Sequence, residues 1–253
     1  MPRSVRFISL VALVLCALPA DAQVLTCLPA SATPVIQSVG GTPVVPGPAI
    51  EKSVERTHVS PVLVPRGTAS GTPVIDDGYD GTLASMTCCT ITVPDVFGGK
   101  VLDDLDAQVI VNTTWVGDVT IKIASPDGTV VTILNRPGSA VPDDGTDSPF
   151  VDSSDWIGDV ITFNDESGGP SAEAMGANLP GNGLICTNDG ICSFVPAPDT
   201  ASGGGLSDFY GMDPAGDWRV CVGDGAIGEP TFFHSASLVP RRIYVELQSF
   251  TIE

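Results

Sequence analysis

Positive charge is scarce in this sequence. Only 11 Lys and Arg stand against 30 Asp and Glu in 253 residues, and the formal net charge is −19. Binding to phosphate requires clustered Lys and Arg, so nucleic acid and anionic lipid are excluded as partners. Imidazole is rarer still, with His58 and His234 alone in the whole chain. Aromatic residues make up 6%, three of them Trp. Beyond the first 22 residues no apolar run approaches the roughly 20 residues of a membrane span, so none is expected. A convincing amphipathic helical period is missing as well.

What is present begins with a targeting signal. Arg3 and Arg6 form a basic start, Phe7 to Leu18 is an apolar run of signal-peptide length, and Ala20-Asp21-Ala22 supplies the small residues for cleavage before Gln23. Cys16 follows Leu15, which is too large for a lipoprotein signal, so Cys16 is expected to leave with residues 1–22. That cut removes two Arg and one Asp and leaves a net charge of −20. A secreted, extracellular or periplasmic location is the expectation.

The cysteines agree with export. Cys27, Cys88, Cys89, Cys186, Cys192 and Cys221 remain, an even number suited to disulfides in an oxidising compartment. The short Cys186–Cys192 spacing, with Asn188-Asp189-Gly190 between them as turn residues, favours that pair. The pairing of Cys27, Cys88, Cys89 and Cys221 stays open. Zinc is disfavoured, because no His lies near these cysteines and the adjacent Cys88 and Cys89 are poorly spaced as ligands.

From Gln23 to Pro73 the chain is rich in Pro, Gly, Ser, Thr and Val, and Pro29, Pro34, Pro43, Pro46, Pro48, Pro61, Pro65 and Pro73 interrupt any ladder or helix. Residues 23–73 are therefore expected to be an extended Pro-rich linker, and residues 74–253 one domain. That domain reads as all-β. Short runs of Val, Ile, Thr and Phe alternate with Gly, Pro, Asp and Asn clusters. Val119, Ile121 and Ile123 share one strand face, with Thr120 and Lys122 on the other. Ser125-Pro126-Asp127-Gly128 is a turn, and Val130 to Leu134 is the returning strand. Trp218 to Val222 and Tyr244 to Ile252 alternate again. Two antiparallel sheets packed face to face account for this pattern.

Seven short motifs carry a family resemblance. Thr114-Trp115-Val116-Gly117-Asp118-Val119-Thr120-Ile121 looks like TWxGDLxI, and Ser125-Pro126-Asp127-Gly128-Thr129 like SPxGT. Leu134-Asn135-Arg136-Pro137-Gly138 is similar to LxxRPG. Gly158-Asp159 with Phe163-Asn164-Asp165-Glu166 is similar to GD…FDDE. Leu206-Ser207-Asp208-Phe209, Asp213 to Trp218 and Leu247 to Ile252 resemble LSxF, xPxGxW and the closing LxSWxL strand. Together, and in order, they resemble the P domain, also called P/Homo B, of subtilisin/kexin-type proprotein convertases. The resemblance implies a jelly-roll-like β-sandwich that accompanies a catalytic domain without being one. Gly228 to Tyr244 stands out against it as an apparent insertion.

Catalysis is not expected of this chain. A serine triad needs a base beside its nucleophile. Neither the subtilisin-type GTSMA motif nor a G-x-S-x-G elbow occurs. The linker, about 50 residues long, is too short for a protease domain. Ca²⁺ is the cofactor that loop carboxylates suit. Asp76-Asp77-Gly78-Tyr79-Asp80, Asp143-Asp144-Gly145-Thr146-Asp147 and Asp159 with Asp165 and Glu166 are the candidate clusters, the last ranked first because it coincides with the family's acidic motif. Solvated turns remain the alternative. Trp115 and Trp218 fall in strand motifs and are expected in the core, whereas Trp156 lies in an Asp/Ser/Gly-rich loop and is the candidate exposed binding residue. Arg241-Arg242 resembles a dibasic processing site but reads as an edge charge. Two functions remain open. One is an accessory or stabilising partner of an extracellular protein, a secreted subtilisin-like protease being the candidate. The other is a surface or matrix module that binds polysaccharide or assembles with itself.

Overall fold

The computed structural model of the protein describes residues 25–27, 74–138, 142–145, 151–196 and 204–245. Its strands in chain order are β1 (Leu25–Cys27), β2 (Val74–Ile75), β3 (Thr87–Val93), β4 (Lys100–Thr113), β5 (Val119–Ala124), β6 (Val130–Asn135), β7 (Trp156–Ile157), β8 (Ile161–Phe163), β9 (Ser193–Phe194), β10 (Gly216–Asp224) and β11 (Thr231–Val245). The helical elements among the described residues are 3₁₀ turns of three or four residues. One sheet has the order β1-β11-β4-β8-β9, with β2 on β11 and β7 on β4; the other has the order β3-β10-β5-β6. All these pairings are antiparallel except β8 with β9. The result is the all-β sandwich that the sequence predicts.

Alternation explains which side chains meet between the sheets. Val109, Val111 and Phe233 come from the long β4–β11 pair, and Ile91, Ile121, Ile123, Trp218 and Val220 from the facing sheet; all join one buried core. Each such side chain contributes about 1.5–3 kcal/mol when fully buried. The β5–β6 hairpin closes as its turn chemistry requires. The Gly128 amide donates to the Ser125 carbonyl at 3.0 Å, the Thr129 amide to Asp127 Oδ1 at 3.0 Å, and Gly128 has φ 94°.

Three features go beyond what alternation predicts. Thr120 and Lys122, on the other face of β5, are also buried, at 0% and 6% exposed. A second layer of loops, residues 76–86 and 142–145, covers that face of β5 and bonds Lys122. The apparent insertion 228–244 is mostly β11 itself, which pairs with β4 from Lys100 to Asn112. Its register shifts between Phe233 and Ser235 and again near Pro240, and these breaks in alternation hide the strand in the sequence. Finally, Leu25–Cys27, inside the segment read as linker, is a strand paired with Ala236–Leu238 of β11. The signal segment and residues 28–73 lie outside the described residues.

Disulfides staple this frame. Cys186–Cys192 forms as the spacing suggests. Cys88–Cys221 joins directly opposed residues of β3 and β10, with Cα atoms 4.0 Å apart. Cys89 is disulfide-bonded too.

Candidate functional site

In the acidic motif at the end of β8, Asn164, Asp165 and Glu166 each make a different contact. Asn164 Nδ2 donates to Asp106 Oδ1 at 2.6 Å, and Arg241 Nε donates to the other oxygen of the same carboxylate at 2.6 Å. Asp106 is fully buried, so this pair of charge-assisted bonds is what lets a carboxylate sit within β4. Asp165 accepts the backbone amides of Leu206 at 3.1 Å and Ser207 at 2.7 Å, capping the 3₁₀ turn Leu206–Phe209. Glu166 Oε1 accepts from the Tyr210 hydroxyl at 3.3 Å. Burial, then the charges of Glu166, Asp165 and Asp104, push the Tyr210 phenol upward.

Asp159, the third residue of the expected calcium set, sits on the β7–β8 turn. Its Oδ2 accepts from Thr187 Oγ1 at 2.5 Å, which ties that turn to the Cys186–Cys192 loop. Both Asp165 oxygens are already turned toward backbone amides. Among the described residues no group of three His, Cys, Asp or Glu is arranged to hold a metal ion.

Trp156 requires a correction. It is fully buried, and its indole Nε1 donates to the Asp159 carbonyl at 2.9 Å. Its neighbour Thr113 in the β4–β7 register faces the core, and Trp156 follows it inward. The polar loop composition around Trp156 masks a two-residue strand, so Trp156 anchors the Asp159 turn from inside.

Other motifs within the described residues also serve as fasteners; Leu247–Ile252 lies outside them. The Gly117 amide donates to the Asp152 carbonyl at 2.9 Å, and the Asp152 amide to the Pro137 carbonyl at 2.8 Å, joining the TWVGD and RPG motifs through one residue. Trp218 Nε1 donates to the Pro214 carbonyl at 2.8 Å, closing the turn of its own motif. The Trp218 ring packs edge-on against Phe209 of the Leu206–Phe209 turn, centroids 5.0 Å apart.

The other two acidic clusters pair with each other. Tyr79 and Thr132 donate their hydroxyls to the Asp143 carboxylate, which also takes Lys122 Nζ at 3.0 Å. Lys122 Nζ donates to the Gly81 carbonyl at 2.7 Å and lies 5.4 Å from the Tyr79 ring centroid. Burial and the Asp143 bond push the Tyr79 phenol upward. The loops touch backbone to backbone: a Cβ on Gly81 would lie 2.7 Å from Asp144 Cα, and one on Gly145 2.5 Å from the Tyr79 carbonyl oxygen. Both glycines have positive φ, so no other residue fits either position without strain.

Sequence reasoning missed Asp106 and Asp224. Asp224 ends β10 fully buried; its Oδ1 accepts the Ala226 amide at 3.1 Å, while Oδ2 has no partner. Burial raises it to about 6; Thr231 and backbone amides oppose the shift, and Asp76 adds to it. No motif marks either residue. His234 sits at the β11 bulge, its Nε2 buried without a partner and its imidazole shifted downward by burial.

Residues 102–164 match the family model described as proprotein convertase P-domain. Two solved structures resemble the chain. The serine protease of Aeromonas sobria is 17% identical with TM-score 0.33, and its complex with the chaperone ORF2 is 16% identical with TM-score 0.34. Each match covers 68% of this chain and 25% of that one, so the chain spans a quarter of the length of those structures. No curated protein matches the chain. The matched stretch runs from β4 through the β8 motif, and the family it matches is the one that the sequence motifs resemble.

Proposed function

We propose that this chain is a secreted, non-catalytic accessory module that binds and stabilises another extracellular protein, a subtilisin-type protease being the first candidate. The observation that carries this reading is the use made of the family motifs. Asn164, Asp165 and Glu166 of the acidic motif are engaged in bonds that hold strands and turns together. Motif residues committed to the frame support a role carried by the module's surfaces. His234 supports the same reading, since its Nε2 bonds no hydroxyl that it could activate. The disulfides Cys88–Cys221 and Cys186–Cys192 fit an oxidising compartment.

Two measurements test the reading. The purified chain is expected to hydrolyse neither peptide nor ester substrates. Hydrolysis that survived purification and disappeared in a variant lacking one Ser together with His58 or His234 would overturn it. Mixed with a secreted subtilisin-type protease, the chain is expected to co-elute with it and lengthen its half-life at elevated temperature. An unchanged half-life and separate elution count against that partner.

A further inference from the structure

The outer face of the large sheet carries a row of four side chains whose two ends, Val74 and Ile157, are exposed. Val74 of β2 is directly opposite Phe232 of β11, Phe232 opposite Asn112 of β4, and Asn112 opposite Ile157 of β7. Opposed residues share a face, so these four form one line across four strands, about 14 Å long. Their chain neighbours Ile75, Val111 and Trp156 point into the core, which fixes the row as outward. Val74 is 60% and Ile157 39% exposed, Phe232 is half-buried, and Asn112 Oδ1 is enclosed without a hydrogen-bond partner.

An acidic pair borders this apolar row. Asp155 lies two residues before Ile157, on the same face, and its Oδ1 is enclosed without a partner. Glu229 is exposed and bonded to Thr114 Oγ1 at 2.9 Å, two residues beyond Asn112. The two carboxylates sense each other: burial and then the Glu229 charge shift Asp155 upward. Among the described residues no Lys or Arg pairs with either. A surface that keeps two like charges beside bare Val, Ile and Phe is complementary to a cation flanked by aliphatic groups.

We propose that this face, formed by Val74, Phe232, Asn112, Ile157, Asp155 and Glu229, is the docking site for a protein segment that presents Arg or Lys among aliphatic residues. The inference rests on the reading of the chain as a protein-binding module and names the surface and chemistry of that binding. The partner's aliphatic side chains cover the row, and its cation bridges Asp155 and Glu229. Apolar burial supplies affinity and the charge pair supplies orientation and selectivity.

The full chain would be titrated with a synthetic peptide of about a dozen residues alternating Ile and Arg, with Ile/Glu and Ser/Arg peptides as controls. Only the Ile/Arg peptide is expected to saturate, with amide NMR shifts confined to residues 74–75, 110–114, 155–157 and 229–235. Asp155→Asn with Glu229→Gln, and separately Val74→Ser with Ile157→Ser, are each expected to weaken binding about tenfold, while Thr90→Glu on the opposite sheet leaves it unchanged. Melting curves confirm that each variant is folded. Equal binding of the Ser/Arg peptide, shifts elsewhere, saturation by a polysaccharide at this face, or indifference to both double variants overturns the proposal. The two readings fail separately. A protease that co-elutes equally with wild type and with both double variants leaves the accessory module standing and removes this face. A chain that retains no protein at all removes both.

Discussion

Asp224 shows how one residue sets a pH dependence. Its folded value, raised to about 6, exceeds the ordinary carboxylate value near 3.9, so the folded state binds the proton more tightly than the unfolded chain. A raised acid penalises the fold when ionised. The penalty is full above pH 6, shrinks as pH falls from 6 toward 4, and is gone below. Two units correspond to roughly 2–3 kcal/mol. Asp224→Asn is therefore expected to stabilise the protein by about 2 kcal/mol at pH 8 and by almost nothing at pH 4. Urea melts of wild type and variant at both pH values check this, and the difference cancels every other carboxylate. An equal gain at both pH values would show that volume or hydrogen bonding, and not ionisation, governs the site. Nothing in the sequence around Gly223-Asp224-Gly225 marks the residue. Its burial depends on Tyr79, whose amide bonds the Asp224 carbonyl from 145 positions away. Trp156 is the converse case, where local composition suggests exposure and a long-range register with Thr113 reverses it.

At the scale of elements, strands with clean alternation were legible and interrupted ones were not. β5, β6 and β10 follow directly from their periods, and the Ser125–Gly128 turn from its residues. β11 was read as an insertion because a bulge at His234 and a proline at 240 break the period twice over Thr231–Val245. Sequence order likewise cannot reveal that the Phe163–Glu166 motif caps the Leu206–Phe209 turn. Asp165→Ala is expected to cost about 0.5–2 kcal/mol, because the part-buried Leu206 amide and the exposed Ser207 amide lose their acceptor. Hydrogen exchange should localise the loss to residues 205–211. A loss spread evenly over the sandwich would contradict the capping role. The disulfides differ in the same spirit. Cys88–Cys221 spans 133 positions and Cys186–Cys192 only 6. By the chain-entropy argument, replacing the first pair with Ser should cost roughly 2–3 kcal/mol more than replacing the second. Denaturant midpoints of the two double variants decide the order.

Over the whole molecule, charge is the dominant unbalanced term. A net charge of −19 on 253 residues, with Lys122 and Arg241 already committed to Asp143 and Asp106, leaves carboxylates crowded on the surface. Self-repulsion of this kind destabilises the compact state more than the expanded chain, and salt screens it. With a Debye length of about 30 Å at 0.01 M and about 8 Å at 0.15 M, most of the repulsion between neighbouring loops is removed over that range. The melting temperature is expected to rise by several degrees, about 3–6 °C, between those two NaCl concentrations. This background also isolates calcium. At constant ionic strength of about 0.15 M, a bound Ca²⁺ at Asp159, Asp165 and Glu166 requires a further rise in about 1 mM CaCl₂, reversed by EDTA and lost in Asp165→Asn. General screening requires instead that Ca²⁺ and Na⁺ act alike once ionic strength is matched. A melting temperature that falls as NaCl is added would remove the screening account, because ion pairs such as Lys122–Asp143 would then outweigh the repulsion among the remaining acids.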